Sequence, residues 1–504
     1  MYVRRLKHKN GKTYIQVISK ESGNYKVVKS FGSAKTGKNL TELEKKAELW
    51  IQKHSGLQEL DLNNEVSQYS EMLNHIKSHK LIGIDLVLGK IFDEIGFNQI
   101  QDELFKDLVL YRLVYPKSKL KTTEYLYRYS NKSYNEDEIY RYMDKLYNKQ
   151  KELVQKISYQ HTKKILKDDI KIVFYDVTTI YFEIEKEDDL RKTGFSKEGK
   201  HQNPQIILGL LVSKNGYPLA YDIFEGNKFE GHTLIPIIEA FKNKYNLSKL
   251  IVVADSGLLS NNNINNLLQH KQEFILGARI KSENQTIKEK ILALKLKDGE
   301  SEIVEKNELK LIITYSDKRA KKDKYNREKG LKRLEKRVKS GKLTKASINN
   351  RGYNKYLKLE GEINVKIDKQ KFEKDSKWNG LKGYLTNATL NKEDILENYN
   401  HLWRIEKAFR IAKTDLKIRP IFHRKQKLIE SHICLTFVAY KVYKELERQL
   451  KEKKLDLSPE KVIEILQSIY QIEIKTPKLN EVIRKNIILT EEQRNLSELF
   501  EFGC

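Results

Sequence analysis

Three carboxylates in this chain stand where they could hold a divalent cation against a phosphodiester. Asp176 ends the apolar run I-V-F-Y-D-V-T-T, Asp255 ends L-I-V-V-A-D-S-G, and Glu406 sits inside Y-N-H-L-W-R-I-E-K-A-F-R-I-A-K. Mg²⁺ prefers carboxylate, water and phosphate oxygens to soft ligands. Ligands of open α/β sheets gather outside the carboxyl ends of the strands, where the two Asp are expected. Taken singly, each Asp reads equally well as a helix cap or turn residue. The segment around Glu406 adds a spacing argument. Tyr399, Glu406 and Lys413 are seven residues apart, which returns each to one face of a helix predicted over residues 392–416, with Trp403 and Arg410 beside them. Leu402, Ile405, Phe409 and Ala412 make an opposite apolar stripe. A phenol and an ammonium beside a carboxylate suit a phosphodiester, the Glu for the metal and the cation and phenol for phosphate oxygens. Without the two Asp motifs, Glu406 and Arg410 read first as an ordinary i,i+4 ion pair on a solvated helix.

The elements that must position these residues follow from periodicity. Residues 1–35 alternate with period two and predict one or two β-hairpins, followed by a charged helix from Thr41 to His54. Residues 64–168 carry helical amphipathic periods, interrupted at Pro116. From Lys171 the pattern turns to strands. K-I-V-F-Y-D-V-T, P-Q-I-I-L-G-L-L-V-S and P-L-A-Y-D-I-F-E precede strand–helix–strand units that contain K-L-I-V-V-A-D and E-F-I-L-G-A-R-I. Antiparallel strands followed by strand–helix–strand units predict a mixed α/β sheet with helices on both faces. Residues 282–380 interrupt this order, and G-Y-L-T-N-A resumes it. A long apolar helix is predicted over Lys425–Leu450 and a further one over Pro459–Tyr470.

Composition narrows the function. The 504 residues carry a formal net charge of +27, with 96 Lys+Arg against 69 Asp+Glu. Such a balance attracts nucleic acid or an anionic surface, although an AT-rich coding sequence also enriches Lys. An acidic spot on a basic body is what a polyanion substrate needs. No apolar run reaches the roughly 18 residues of a membrane span, and the first residues lack the apolar stretch of a secretory signal. With only Cys434 and Cys504 and no C-x-x-C, disulfide scaffolds and zinc fingers are excluded. The expected setting is the cytoplasm, in association with the nucleoid, and no P-loop suggests an ATP-driven motor.

Combined, these motifs resemble DDE transposases of the superfamily called insertion sequence 4, and most closely its 1634-type branch. The family's third acid lies in a Tyr–Arg–Glu–Lys signature, Y-x-x-R-x-x-x-E-x-x-x-x-x-x-K, which Tyr399, Glu406 and Lys413 match. The signature Arg falls on Leu402, a departure that leaves Arg404 or Arg410 to supply the cation. Asp176 in Y-D-V-T-T and Asp255 in V-V-A-D-S-G-L-L-S look like the first two acids. The segments G-F-S-K, G-L-L-V-S-K-N-G-Y-P-L and F-E-G-N-K-F-E-G-H-T-L also look like this branch, over roughly residues 100–440.

The resemblance implies a ribonuclease H-like core with Asp176 on its first strand and Asp255 just after the fourth. A β-rich insertion domain would account for the long gap between Asp255 and Glu406. The implied domains are 1–60 (hairpin and helix), 61–168 (helical, DNA-end binding), 169–281 and 381–424 (the two parts of the core), 282–380 (insertion) and 425–504 (helical, oligomerisation). Two Mg²⁺ ions about 4 Å apart would be clamped by the three acids, with Mn²⁺ able to substitute. Tyr399, Arg404, Arg410 and Lys413 would contact DNA. The partners would be double-stranded DNA, as terminal inverted repeats and as target, and a second copy in a homodimer on DNA. In relatives an aromatic of the insertion can hold a flipped base, and Trp378 lies in that segment, where it reads first as a core residue.

Remaining signals are weaker. Lys318 to Lys345 holds fourteen Lys/Arg and three acids with Tyr325, Leu331, Leu334 and Val338 interleaved. It reads either as a helix along phosphates or as a solvated one. His75 and His79, spaced i,i+4, lack a third ligand. His423 and His432 follow the signature helix and either touch DNA or pack. Two rival functions share these residues: a structure-specific nuclease without strand transfer, and an inactive DNA-binding repressor.

Overall fold

The computed structural model describes residues 1–21, 23–35, 37–54, 74–167, 170–196, 199–341, 343, 347–349, 352–360, 364–475 and 481–502. Two compact units emerge. One comprises residues 1–78 and 472–485, and the other residues 79–471 and 486–504. In the first, strands Tyr2–Lys7, Thr13–Glu21 and Asn24–Ala34 form an antiparallel meander. Helix Gly37–His54 covers it, closing a small core of Ile15, Val17 and Ala47. Both elements follow the sequence expectation.

The second unit is built on an eight-stranded sheet. In chain order its strands are β1 (Ile172–Tyr181), β2 (Gln205–Ser213), β3 (Pro218–Glu225), β4 (Ile251–Ala254), β5 (Glu273–Ala278), β6 (Ser301–Lys306), β7 (Leu309–Tyr315) and β8 (Leu381–Thr386). Across the sheet the order is β6-β7-β8-β5-β4-β1-β2-β3. Strands β1, β2 and β3 pair antiparallel, while β1, β4 and β5 run parallel. This is the ribonuclease H-like mixed sheet, with Asp176 on its first strand and Asp255 directly after its fourth.

Side chains alternate across the sheet, as strand geometry requires. Val173, Tyr175 and Val177 enter one core with helices Leu234–Tyr245 and Asn261–Gln269. Phe174 and Ile180 enter the other, with helices Trp403–Thr414 and Gln426–Glu452. The second of these helices is buried along almost its whole length, polar Lys441 and Glu445 included. Its apolar surface is taken up inside this chain.

Several elements depart from the expectation. Between residues 282 and 380 the hairpin β6–β7 extends the main sheet, and β8 pairs with both β7 and β5. The rest of that segment holds helices Gln285–Ala293, Asp317–Lys339 and Lys369–Ser376 with a two-stranded sheet of Leu357–Glu360 and Asn364–Ile367. The insertion is therefore mixed rather than β-rich, because its basic run forms a 23-residue helix. That helix buries Arg327, Gly330 and Leu334 and leaves Tyr325 exposed. Strand Ile76–Leu81 stands where helix was expected and His79 stacks on Tyr470, while residues 64–73 lie outside the described ones. The C-terminal region also contains strands Tyr470–Lys475 and Val482–Ile487 beside helices Pro459–Leu466 and Glu491–Leu499. Helix breaks at Val114 and Lys119 bracket Pro116, as expected. Among the described residues no helix is long and apolar enough to cross a membrane. Cys434 is buried and free, while Cys504 and Lys345 lie outside the described residues.

Candidate active site

Register brings the two aspartates together. Tyr175 of β1 pairs with Ala254 of the parallel β4, strands about 5 Å apart at the backbone, so Asp176 and Asp255 are the residues that follow this pair, Asp176 still on β1 and Asp255 just past the end of β4. Alternation then fixes their side. Asp176 follows Phe174 by two and Asp255 follows Val253 by two, and both apolar residues belong to the core that also holds Ile405, Ala408 and Phe409. The aspartates therefore face the helix that carries Glu406. Asp255 caps the short turn Ser256–Leu258, its Oδ1 accepting from the Gly257 amide at 2.8 Å, and Asp176 Oδ1 accepts from the Val177 amide at 2.8 Å.

Tyr399 couples the acids. Its hydroxyl packs on Gly277 of β5, next to the amide of Ser256. Burial first, then the negative charges of Asp255 and Glu406, push its phenol pKa up. One side chain thus lies in the field of both carboxylates. The ring stands edge-on to Tyr384, centroids 4.5 Å apart, and Lys382 Nζ lies 4.7 Å above it. Burial lowers the Lys382 pKa, nearby Arg319 lowers it further, and Glu406 opposes them.

The predicted continuous helix is interrupted. It consists of Lys392–Asn400 and Trp403–Thr414, joined by i→i+3 bonds from His401 to Asn398 and from Leu402 to Tyr399. Tighter winding rotates Tyr399 away from the exposed face. Tyr399 is 8% exposed, whereas Glu406 and Arg410 are exposed. The apolar stripe is as expected, with Leu402, Ile405 and Phe409 buried. Leu402 lies within the main core, where an unpaired guanidinium would be costly. That explains why the signature cation is absent there.

Arg404 is turned elsewhere. It donates to the Lys214 carbonyl and to Asn215 Oδ1 at 3.3 Å, fastening its helix to the turn between β2 and β3. Arg410 and Lys413 lie on the helix of Glu406, Lys413 half-buried. A cation in the field of Glu406 is Lys382. Sequence reasoning passed over it because its partners lie on separate elements, and only the alternation of β8 places it on the site's face. Trp378 packs half-buried against the other core and lines a cleft of about 650 Å³ with Arg279, Lys281, Arg319 and Arg327.

These donors suit a hard cation. Mg²⁺ is commonly held by one or two carboxylates, with waters and phosphate oxygens completing its shell. Asp176 and Asp255 supply such a pair, with Glu406 on the facing helix. Among the described residues, however, no three acidic, imidazole or thiol side chains form a ready-made cage. The arrangement is a carboxylate pair with a third acid nearby.

Comparison with known proteins gives this geometry a family. Residues 167–442, more than half of the chain, match the model of the transposase DDE domain. No curated protein matches the sequence. Among solved structures, the chain is similar to a piggyBac transposase synaptic complex with hairpin DNA, at 11% identity over 76% of this chain and 79% of that one, TM-score 0.37. It is also similar to the Mos1 mariner paired-end complex with Mn, at 12% identity over 36% of this chain and 57% of that one, TM-score 0.15. A Mos1 paired-end complex with the left transposon end gives 11% identity over the same shares, TM-score 0.16. The chain belongs to the transposase DDE domain family.

Proposed function

We propose that this transposase cuts at the inverted terminal repeats of an insertion sequence and joins the 3′-hydroxyl ends to target DNA, as a member of the 1634-type branch of the insertion-sequence-4 superfamily. The observation that carries the reading is the register that sets Asp176 beside Asp255 on the face covered by the Glu406 helix. These three acids would hold Mg²⁺, or Mn²⁺ in its place. A divalent cation so held supplies Lewis-acid stabilisation of the phosphodiester and lowers the pKa of water.

The chain's own residues do the positioning. Lys382 sits half-buried beside Glu406 and partly neutralises a phosphodiester brought to the acids. Arg410 and Lys413 offer phosphate contacts from the same helix as Glu406. Tyr399 acts behind the site by holding the helix turn against Gly277. The net charge of +27 draws in the DNA polyanion. Two copies bridging two ends would let each serve its own end or its partner's.

The test uses supercoiled DNA carrying the element ends. Cleavage with joining supports the proposal, cleavage alone a nuclease, and binding alone a repressor. Asp255→Asn keeps an oxygen for the Gly257 amide while removing the charge. It should cut the rate by at least about a thousandfold and leave duplex affinity largely unchanged. Loss of binding with the rate would reject the assigned role.

A further inference from the structure

Behind the helix of Glu406, on the side of the helical region, a cavity of about 400 Å³ is lined by basic groups that the proposed chemistry does not use. Arg112, Lys119, Arg419, His423 and His432 all line it. Arg112 is 7% exposed, Lys119 8% and His432 6%. Arg112 donates to the Lys417 carbonyl at 2.7 Å and lies 2.9 Å from His432 Nε2, yet its buried Nε has no partner. Among the described residues Lys119 makes no hydrogen bond or ion pair.

An acid would be expected against two buried cations, since an unpaired buried charge is expensive. Glu136 is the acid on the cavity wall, and its Oε1 accepts instead from Tyr140 at 2.9 Å. The field is reinforced from below. The cavity takes in the first turn of helix Lys119–Ser130, capped by Ser118, whose macrodipole presents partial positive charge to it. Both buried bases are shifted. Burial and Arg112 together lower Lys119 to about 7, and burial and the two cations lower His423 to about 4. The mouth is open to solvent through exposed Lys117, Lys417 and Phe422.

We propose that this cavity is an oxyanion site that seats one phosphate group between Arg112 and Lys119. The unpaired Lys119, the Arg112 guanidinium with its unpartnered Nε and the helix N-terminus at Ser118 all belong to the lining of one cavity. A phosphate group offers charge and several acceptor oxygens at once. His423 lines the same space, and His432 is held by Arg112, which donates to its Nε2. The site does not depend on the three acids. Only its DNA version rests on the proposed function.

Two sources share this chemistry, a DNA backbone phosphate and free phosphate, and calorimetry on the full chain separates them. The wild type should bind inorganic phosphate saturably at neutral pH. Lys119→Met should weaken that binding about tenfold, and Lys119→Arg should restore most of it. If the natural occupant is a DNA phosphate, Lys119→Met also lowers affinity for a short duplex and flattens its salt dependence by about one unit. If it is free phosphate, duplex affinity does not move. Removing an unpaired buried ammonium should not lower the ligand-free melting temperature. Should Lys119→Met melt early nonetheless, the exposed rim variant Lys417→Gln carries the test, with about a threefold loss expected. A wild type that binds neither ligand saturably overturns the proposal. So does a well-folded variant with unaltered affinity for both.

Discussion

Gly277 shows how much of the site depends on single atoms. A Cβ there would run into the Tyr399 hydroxyl and lie 3.1 Å from the Ser256 amide. Gly277→Ala should therefore destabilise the chain by about 2 kcal/mol, read as a lower denaturation midpoint, and slow cleavage by shifting Ser256 and its neighbour Asp255. An unchanged midpoint would mean that the phenol does not rest there. Lys119 gives a pH signature. Its folded pKa of about 7 lies below its ordinary 10.5, and it faces Arg112, His423 and His432 with no carboxylate paired to it. Between those values the unfolded chain binds more protons than the folded one, so stability should rise with pH across that window and be flat for this group below it. Lys119→Met should remove that rise, which denaturation at a series of pH values would show. At this scale the acids were legible because each ends a recognisable motif. Lys382 was not legible, because nothing in L-K-G-Y-L-T marks it as the neighbour of a glutamate on another element. Tyr399 was found for its spacing, but its burial was not, because the spacing argument assumed an unbroken helix.

The break at His401 and Leu402 is the element-level lesson. Apolar periodicity located both half-helices and the buried stripe, but two i→i+3 bonds change the winding without altering the pattern. Restoring the family's cation by Leu402→Arg should cost on the order of 3 kcal/mol, because residue 402 packs in the core. A variant as stable as the wild type and more active would refute this account of the departure. The helix Asp317–Lys339 gives the second test at this scale. Lys318, Lys322, Lys329 and Lys336 are exposed, and replacing all four with Gln should reduce the salt slope of DNA binding by up to about 3.6 if every one meets a phosphate. An unaltered slope would make the helix a solvated face only. Its basic character was plain in the sequence. Its packing through Arg327, Gly330 and Leu334 against Tyr353, Phe372 and Tyr356 was not, since that required the folded insertion.

Across the whole molecule, the mixed sheet with two helical faces was readable from the switch between period-two and helical patterns. The place of the insertion was not. Residues 282–380 looked like a separate domain because the catalytic pattern stops and restarts, whereas hydrogen bonding makes β6 and β7 part of the same sheet. Pairing partners distant in sequence leave no local trace, and for that reason the strand order came only from the fold.

That strand order has a temporal consequence. β8 slots between β5 and β7, both of which the ribosome delivers earlier. The hydrogen bonds that join β5 and β7 through β8 cannot form in a nascent chain until Thr386 of 504 residues has emerged. Glu406 follows only after that. Assembly at such long sequence separation is slow, and until it is complete a growing polypeptide holds both aspartates but lacks their glutamate.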